Sequence, residues 1–341
     1  MGPRVKWTSG GADSARWRTY DRATPTGKKY HVLITASMSI YQQWQSRVFY
    51  YWYNKQRRLH PDSDMGGFTR ILHSAKDDIL SKEMKTVRVD PLPDDGGYVV
   101  LSRPFAFQQF IAGGHLDEIE EDYIFMAEPD HIFMRPMANF IQDGYHAIGY
   151  PFFYIEPSKK EYMPLIRKVL GRPELSVNDI KSINGTGSSP VIVFKHDFKR
   201  MVNAWHDLTI TLHNDAETKK AWGWVLEMWA YTLACYKEGV SQLMYPQFMV
   251  QPPYSETGDD AMILHYTYGV DTDLEGTRIM NGTLGLWRFD KRSYYTQSPP
   301  RDLLMPPNAT TPLIKQLVES VREAAINTPT WGTHDAQLFG R

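Results

Sequence analysis

Asp122-Tyr123-Ile124-Phe125-Met126-Ala127-Glu128-Pro129-Asp130-His131-Ile132-Phe133-Met134-Arg135-Pro136 changes character within a single residue. The apolar run 123–127 fits a fully buried strand. It ends abruptly in Glu128-Pro129-Asp130-His131, and a second short apolar run follows. Acidic and imidazole groups just past a core strand are costly to bury unless they bind something. Two carboxylates one residue apart, beside a histidine, suit a divalent cation that neutralises phosphate oxygens. A nucleotide-type ligand at a strand end is where open α/β sheets put their chemistry. Taken alone, the tetrad also reads as a charged turn between two strands.

The flanking sequence alternates strand and helix signals. Tyr30–Ala36 is β-branched and apolar, fitting a buried first strand. Residues 41–58 carry Trp44, Val48, Tyr51 and Trp52 at helical spacing and end in a cationic turn, as the helix dipole prefers. Residues 68–72 and 86–89 read as further strands, and 105–112 as a helix entered through Pro104. Beyond the acidic tetrad, 145–151 and 190–195 are strand candidates, 198–212 and 221–238 helices, and 262–268 a late strand or extended segment. Residues 311–327 form a C-terminal amphipathic helix. Such alternation implies an α/β fold with a mostly parallel sheet covered by helices on both faces. With no repeat and no low-complexity linker, 30–331 reads as a single catalytic-type domain, followed by a tail over 332–341. Residues 1–29 are polar and basic without an apolar signal core, and read as a stem or an artificial end.

Composition narrows the function classes. Net charge is −1 and no basic run exceeds the pairs Lys28-Lys29 and Arg57-Arg58, which argues against nucleic acid and anionic membrane surfaces. The chain has one cysteine, Cys235, in an apolar helical context; it excludes an internal disulfide and a thiolate metal cluster and reads as a buried structural thiol. Sequons at Asn184, Asn281 and Asn308 are compatible with a secretory lumen, although chance supplies nearly as many. The aromatic load, 10 Trp, 20 Tyr and 15 Phe, exceeds what packing alone demands. No phosphate loop, zinc-protease helix or serine elbow occurs, and 185–189 reads as a flexible Gly-rich loop leading into the strand at 190.

Further clusters carry chemical content. His265, in Ile263-Leu264-His265-Tyr266-Thr267-Tyr268-Gly269, offers a neutral imidazole at a strand end, with Gly269 permitting a phosphate to approach the backbone. Among aromatics a histidine is also a common core residue; paired with Glu128 and Asp130 it completes a three-ligand face. Arg288 and Lys291 lie in Trp287-Arg288-Phe289-Asp290-Lys291-Arg292, which reads as a pyrophosphate clamp or as a solvated turn. Arg70 and Arg103 each either touch the ligand or hold the loop around it. Glu227, between Trp222, Trp224 and Trp229, is a desolvated carboxylate suited to act as base, nucleophile or stabiliser of positive charge, or it is a helix residue facing solvent.

The chain resembles the plant and algal hydroxyproline O-arabinosyltransferases, metal-dependent glycosyltransferases with the GT-A nucleotide-sugar fold. The resemblance is carried in order by Tyr-Tyr-Trp-Tyr at 50–53, Met-Gly-Gly-Phe-Thr-Arg-Ile-Leu-His-Ser at 65–74 and Met-Ala-Glu-Pro-Asp-His at 126–131. It continues through Pro-Phe-Phe-Tyr-Ile at 151–155, Gly-Trp-Val-Leu-Glu-Met at 223–228, His-Tyr-Thr-Tyr-Gly at 265–269 and Trp-Arg-Phe-Asp-Lys-Arg-Ser-Tyr at 287–294. It implies Golgi type II membrane proteins whose anchor, expected upstream, is not in this sequence. It implies transfer of L-arabinofuranose from UDP-β-L-arabinofuranose to the 4-hydroxyl of hydroxyproline in extensin-like or signalling peptides, with Mn²⁺ and with retention. The family's pattern differs at Ser188-Ser189, where an Asn-Ser pair is expected after Gly187.

On that resemblance the metal ligands are Glu128, Asp130 and His265, and the catalytic groups Asp130 and Glu227. The nucleotide contacts are Thr35, Arg70, Arg103, Gly269, Arg288 and Lys291. Acceptor contacts are Phe152, Phe153, Tyr154, Ser189 and Trp222, lining a groove for a stiff polyproline II peptide. The rival readings are a peptidyl serine galactosyltransferase of the same fold, a hydrolase sharing the metal site, and a non-catalytic sugar- or peptide-binding module.

Overall fold

The first strand, β1 (Tyr30–Ala36), is buried at every position, as its apolar composition requires of a strand covered on both faces. In the computed structural model the described residues are 26–93, 98–258, 260–279 and 283–334. After β1 come α1 (Ile40–Leu59), β2 (Met65–His73), β3 (Thr86–Val89), α2 (Ser102–Ala112), β4 (Tyr123–Ala127), β5 (His131–Phe133) and β6 (Ala147–Pro151). They are followed by α3 (Met163–Leu170), α4 (Val177–Lys181), β7 (Thr186–Phe194), α5 (Lys195–Asn214), α6 (Ala216–Trp222) and α7 (Leu226–Lys237). The last part holds β8 (Gln242–Met244), β9 (Met249–Val250), β10 (Ile263–His265), β11 (Val270–Thr272), β12 (Trp287–Phe289) and α8 (Pro312–Asn327).

The main sheet has seven strands in the order β3-β2-β1-β4-β7-β6-β8. Its pairs are parallel except where β7 runs antiparallel to β4 and β6. Helices flank it: α2, α5 and α7 pack on one another, and α1 packs against α8 and β5. This is a mixed α/β architecture with a mostly parallel sheet, consistent with a GT-A-like fold. Two smaller sheets, β5-β10-β9 and β11-β12, complete it. α1 joins two hydrophobic cores, giving Phe49 and Tyr53 to the one around the main sheet and Trp44 and Val48 to one shared with α8, β10 and β12.

Three elements depart from expectation. The helix expected over 221–238 is broken at Gly223, whose φ of +49° suits glycine. A 3₁₀ turn, Gly223–Val225, separates α6 from α7, so Glu227 falls in the first turn of α7. The residues 185–189, expected as a flexible loop, belong to β7 from Thr186 onward. Gly and Ser are poor strand formers, yet the segment pairs as a strand, with Met228 and Phe152 packed closely over Gly187. The extended segment expected over 262–268 is regular only through His265.

The aromatic excess is mostly core. Of the tryptophans among the described residues, only Trp224 is exposed. The indole N–H of buried Trp44 donates to the Tyr294 carbonyl (3.0 Å) and that of partly buried Trp52 to the Ser320 carbonyl (3.1 Å), as amphipathic rings favour, whereas the buried Trp222 N–H has no partner among the described residues.

Candidate active site

β4 ends at Ala127, beside the carboxyl end of its parallel neighbour β1, and the chain turns through Glu128, Pro129 and Asp130 into β5. β5 pairs antiparallel with β10, with His131 in register opposite His265. The Tyr266 N–H extends this ladder to the Asp130 carbonyl at 3.2 Å. Main-chain pairing thus brings two segments more than a hundred residues apart together. Ligand atoms of Glu128, Asp130, His131 and His265 all lie within 4.8 Å of one another. His265 Nε2 is 3.1 Å from Asp130 Oδ2 and 3.6 Å from Glu128 Oε2. The His131 and His265 rings meet edge to face at 4.6 Å.

Two cations complete the cluster. Lys291, in a 3₁₀ turn after β12, ion-pairs with Asp130. Asp290 caps that turn by accepting from the Arg292 N–H at 2.8 Å. A Cβ at Gly269 would stand 2.6 Å from Asp290 Oδ2, so the glycine makes room for the cap. Arg103, in the first turn of α2, bridges two carboxylates: Nη2 donates to Glu128 Oε1 at 2.5 Å, and Nη1 to Glu227 Oε2 at 3.3 Å. The same Nη1 donates to Ser188 Oγ at 2.9 Å, and the Ser188 hydroxyl donates to Glu227 Oε1 at 2.8 Å. The Glu227 backbone N–H, freed at the start of α7, donates to the Tyr98 hydroxyl at 2.9 Å.

The electrostatics follow from these contacts. Burial alone would raise the Asp130 carboxyl, but the Lys291 ammonium and then His265 hold it well below its usual range. Burial works against the Lys291 charge and Asp130 overcomes it, leaving its pKa raised. Arg103 is likewise raised by Glu128 and Glu227 against the cost of burial. Glu227 moves the other way: burial dominates and raises it, although Arg103 and Ser188 pull down. Asp130, beside Lys291, and Glu227, buried beside Arg103, therefore sit in different environments.

The donor set fits a divalent cation. Two carboxylates and two imidazoles supply mixed oxygen and nitrogen ligands, and His131 Nε2 is buried without a hydrogen-bond partner. The Gln251 side-chain amide meets His265 Nδ1 at 3.2 Å. Turned over, that amide would accept from Nδ1–H and leave the Nε2 lone pair facing the cluster.

Of the residues singled out from sequence, Glu128, Asp130, His265, Lys291, Arg103 and Glu227 come together here. Ser189 is buried next to them, its hydroxyl 3.5 Å from the Met126 carbonyl. Tyr154 and Phe153 stand on the β6–α3 connection, Phe153 fully open to solvent. Thr35 is buried in β1 and makes no side-chain hydrogen bond. Arg70 is not brought to the cluster: fully buried, it closes a bidentate ion pair with Asp78. Arg288 spends its guanidinium on Asp290 and Asp271. Trp222 stacks on Trp229 at 4.4 Å inside the core, and Phe152 is buried beside Tyr150. His131, Ser188 and Tyr98 were missed. His131 was adjacent to the acids and needed only to be counted with them; nothing local in sequence singles out Tyr98.

A mostly parallel α/β sheet with a carboxylate and imidazole cluster at its carboxyl edge is consistent with the GT-A-like class of glycosyltransferases. The description "Hydroxyproline O-arabinosyltransferase family N-terminal domain" matches residues 30–244, and the corresponding C-terminal domain matches 262–332. The chain belongs to the hydroxyproline O-arabinosyltransferase family. It is 45% identical over 318 residues to hydroxyproline O-arabinosyltransferase 2 of Arabidopsis thaliana, covering 92% of this chain and 86% of that protein. It is 43% identical to hydroxyproline O-arabinosyltransferase PLENTY of Lotus japonicus, with 95% and 87% covered, and 44% identical to hydroxyproline O-arabinosyltransferase NOD3 of Pisum sativum, with 90% and 89% covered.

Proposed function

We propose that this protein transfers L-arabinofuranose from UDP-β-L-arabinofuranose to the 4-hydroxyl of peptidyl hydroxyproline, with retention at the anomeric carbon. Mn²⁺ would be held by Glu128, Asp130 and His265, with His131 as a further donor. One observation carries the proposal: Glu128 and Asp130 converge with His265 at a strand end, in a family whose curated members are named for this transfer. A bound divalent cation supplies Lewis acidity toward the departing diphosphate.

The chain's own side chains do the rest. Arg103 and Lys291 stay protonated and offset the negative charge that grows on the leaving group. Glu227, oriented by Ser188 and Arg103, faces the positive charge that develops at the sugar or orients the acceptor. Retention requires the acceptor oxygen to approach the face from which UDP leaves, where a phosphate oxygen can take its proton.

The proposed setting is the Golgi lumen, by way of an anchor outside this chain; no helix among the described residues is long and apolar enough to cross a membrane. In that compartment Asn308 is the exposed sequon, whereas the Asn184 amide donates to the Gln242 carbonyl at 2.8 Å. The sequon at Asn281 lies outside the described residues.

Incubation with a panel of UDP-sugars and a hydroxyproline peptide, with Mn²⁺ and after chelation, tests the proposal. Arabinofuranose on the peptide, abolished by chelation, is expected. Galactose on serine, free sugar formed without peptide, or product undiminished by chelation overturns it.

A further inference from the structure

Both acids that follow β4 are already matched by cations of the chain itself. Lys291 ion-pairs with Asp130, and Arg103 with Glu128. The two pairs are built differently. The Arg103 guanidinium is a rigid fork, held by Glu128, Ser188 and Glu227 together. The Lys291 ammonium is a point charge on a flexible stem. Its hydrogen-bond partner among the described residues is Asp130 Oδ2, the same oxygen that His265 Nε2 meets at 3.1 Å.

The turn that carries Lys291 lacks that freedom. Asp290 caps it, the Trp44 indole donates to the Tyr294 carbonyl at 3.0 Å, and Tyr295 stacks on Tyr41 of α1 at 4.4 Å. The backbone is therefore pinned to α1, and only the side chain can swing. The Lys291 side chain is 10% exposed and that of Asp130 4%, so water and salt screen their charges little. This sets a charge balance. A divalent cation entering by itself meets carboxylates whose charge is already offset, and it competes with Lys291 for Asp130. Two cations at one buried oxygen repel each other strongly at low dielectric. A diphosphate removes the conflict: it offers the released ammonium new oxygen acceptors, and its negative charge offsets the added cation.

We propose that Lys291 is a transferable counter-ion that couples the metal to the donor: it holds Asp130 until a diphosphate arrives with the cation, and then passes to the diphosphate oxygens. Metal and donor bind as a unit, and each raises the affinity of the site for the other by the same factor. The inference rests on the proposed Mn²⁺- and UDP-dependent transfer and deepens it, by naming what governs occupancy of that site. Lys291 is here a positioning residue for the donor. Arg103, held by three partners, stays in place.

The test is calorimetric titration of Mn²⁺ alone, and of UDP with Mn²⁺ present, on wild type, Lys291→Met and Lys291→Arg. Arabinose transfer to a hydroxyproline peptide is measured on the same samples. Lys291→Met frees Asp130 for the metal and takes a contact from the diphosphate. It should bind Mn²⁺ alone ~10-fold more tightly and UDP with Mn²⁺ ~10-fold more weakly, within the usual range of coupling between sites. The association of Mn²⁺ with UDP in buffer is common to all variants and cancels in the comparison. Lys291→Arg keeps the charge and should return both affinities toward wild type. If Lys291→Met is unstable, thermal melts give the same answer: Mn²⁺ without UDP should raise its Tm by more than it raises that of wild type. Mn²⁺ binding Lys291→Met no more tightly than wild type, or UDP with Mn²⁺ binding both equally, overturns the coupling. Opposite shifts of the two affinities in a protein that transfers no arabinose sustain the coupling and overturn the transfer alone.

Discussion

Arg70, fully buried, and Arg103, only partly buried, both face carboxylates, and their surroundings give them opposite roles. Arg70 has one carboxylate partner, Asp78, and both side chains are wholly inaccessible. The guanidinium fork and the carboxylate saturate each other, and Nε goes to Thr86 Oγ1 at 3.3 Å. Arg103 is oversubscribed, serving Glu128, Glu227 and Ser188 at once. Next to it Asp130 is shared by Lys291 and His265. A saturated pair is a strut, because any change strands a buried charge. A shared network can redistribute its bonds when a ligand arrives, which an active site needs and a core does not.

The comparison breaks most visibly at Asp130. Asp130→Asn keeps the shape beside Lys291 and should lower transfer by ~10³-fold, the upper scale for losing one principal electrostatic group. Initial rates at saturating donor and peptide check this, and near-wild-type turnover would remove Asp130 from the chemistry. At the strut, Arg70→Met should cost about 3–5 kcal/mol in urea unfolding by stranding Asp78, with kcat of the folded fraction little changed. A variant that also carries Asp78→Leu should recover most of that loss. Arg103→Met sharpens the contrast, costing about 10²-fold in kcat/KM and less stability than Arg70→Met, since Glu227 already sits above its usual range and can take up a proton.

A smaller effect tests a closed network at the other end of the sheet. His31 Nδ1 lies 3.1 Å from Glu121 Oε2, and the Gly67 N–H donates to Glu121 Oε1. Burial would raise the Glu121 carboxyl, but the His31 hydrogen bond and the Gly67 N–H bring it down to about 2. A depressed carboxyl stabilises the fold fully above its unfolded value, about 4.3, and that contribution disappears as pH falls through about 2. Glu121→Gln should therefore flatten the wild-type decline of stability across that window, read from unfolding free energy against pH. An unchanged slope would place the acid sensitivity elsewhere. Least of all, Cys235, pushed up to about 12 by burial, should resist iodoacetamide at mildly alkaline pH in the folded protein and react on denaturation.

Legibility followed the range of the interactions. Strands β1, β3 and β4 were readable residue for residue, β1 and β4 because buried strands are short unbroken apolar runs, and β3 because Thr86, Val87 and Val89 are β-branched. The break at Gly223 was not, because an apolar periodicity carries through it, and a single glycine does not show in sequence whether its backbone will take the positive φ that ends α6 here. The acids of the site stood out because a charge after a core strand needs a reason. Arg70 and Arg103 looked alike in sequence: whether an arginine is saturated depends on partners such as Asp78 and Glu227, and nothing in the local sequence shows whether those side chains turn toward it. Trp222 looked like a ring of the acceptor groove for the same reason, since exposure is a property of the neighbours.

By itself the sequence determined the alternating α/β character and the acidic and imidazole segments of the candidate site. These depend on local composition and period, and the chain displays them directly. Only the tertiary structure decided which cations join those acids and that His131 stands with His265. Those outcomes depend on strand register and on loops that meet only after the backbone hydrogen bonds of β5 and β10 close.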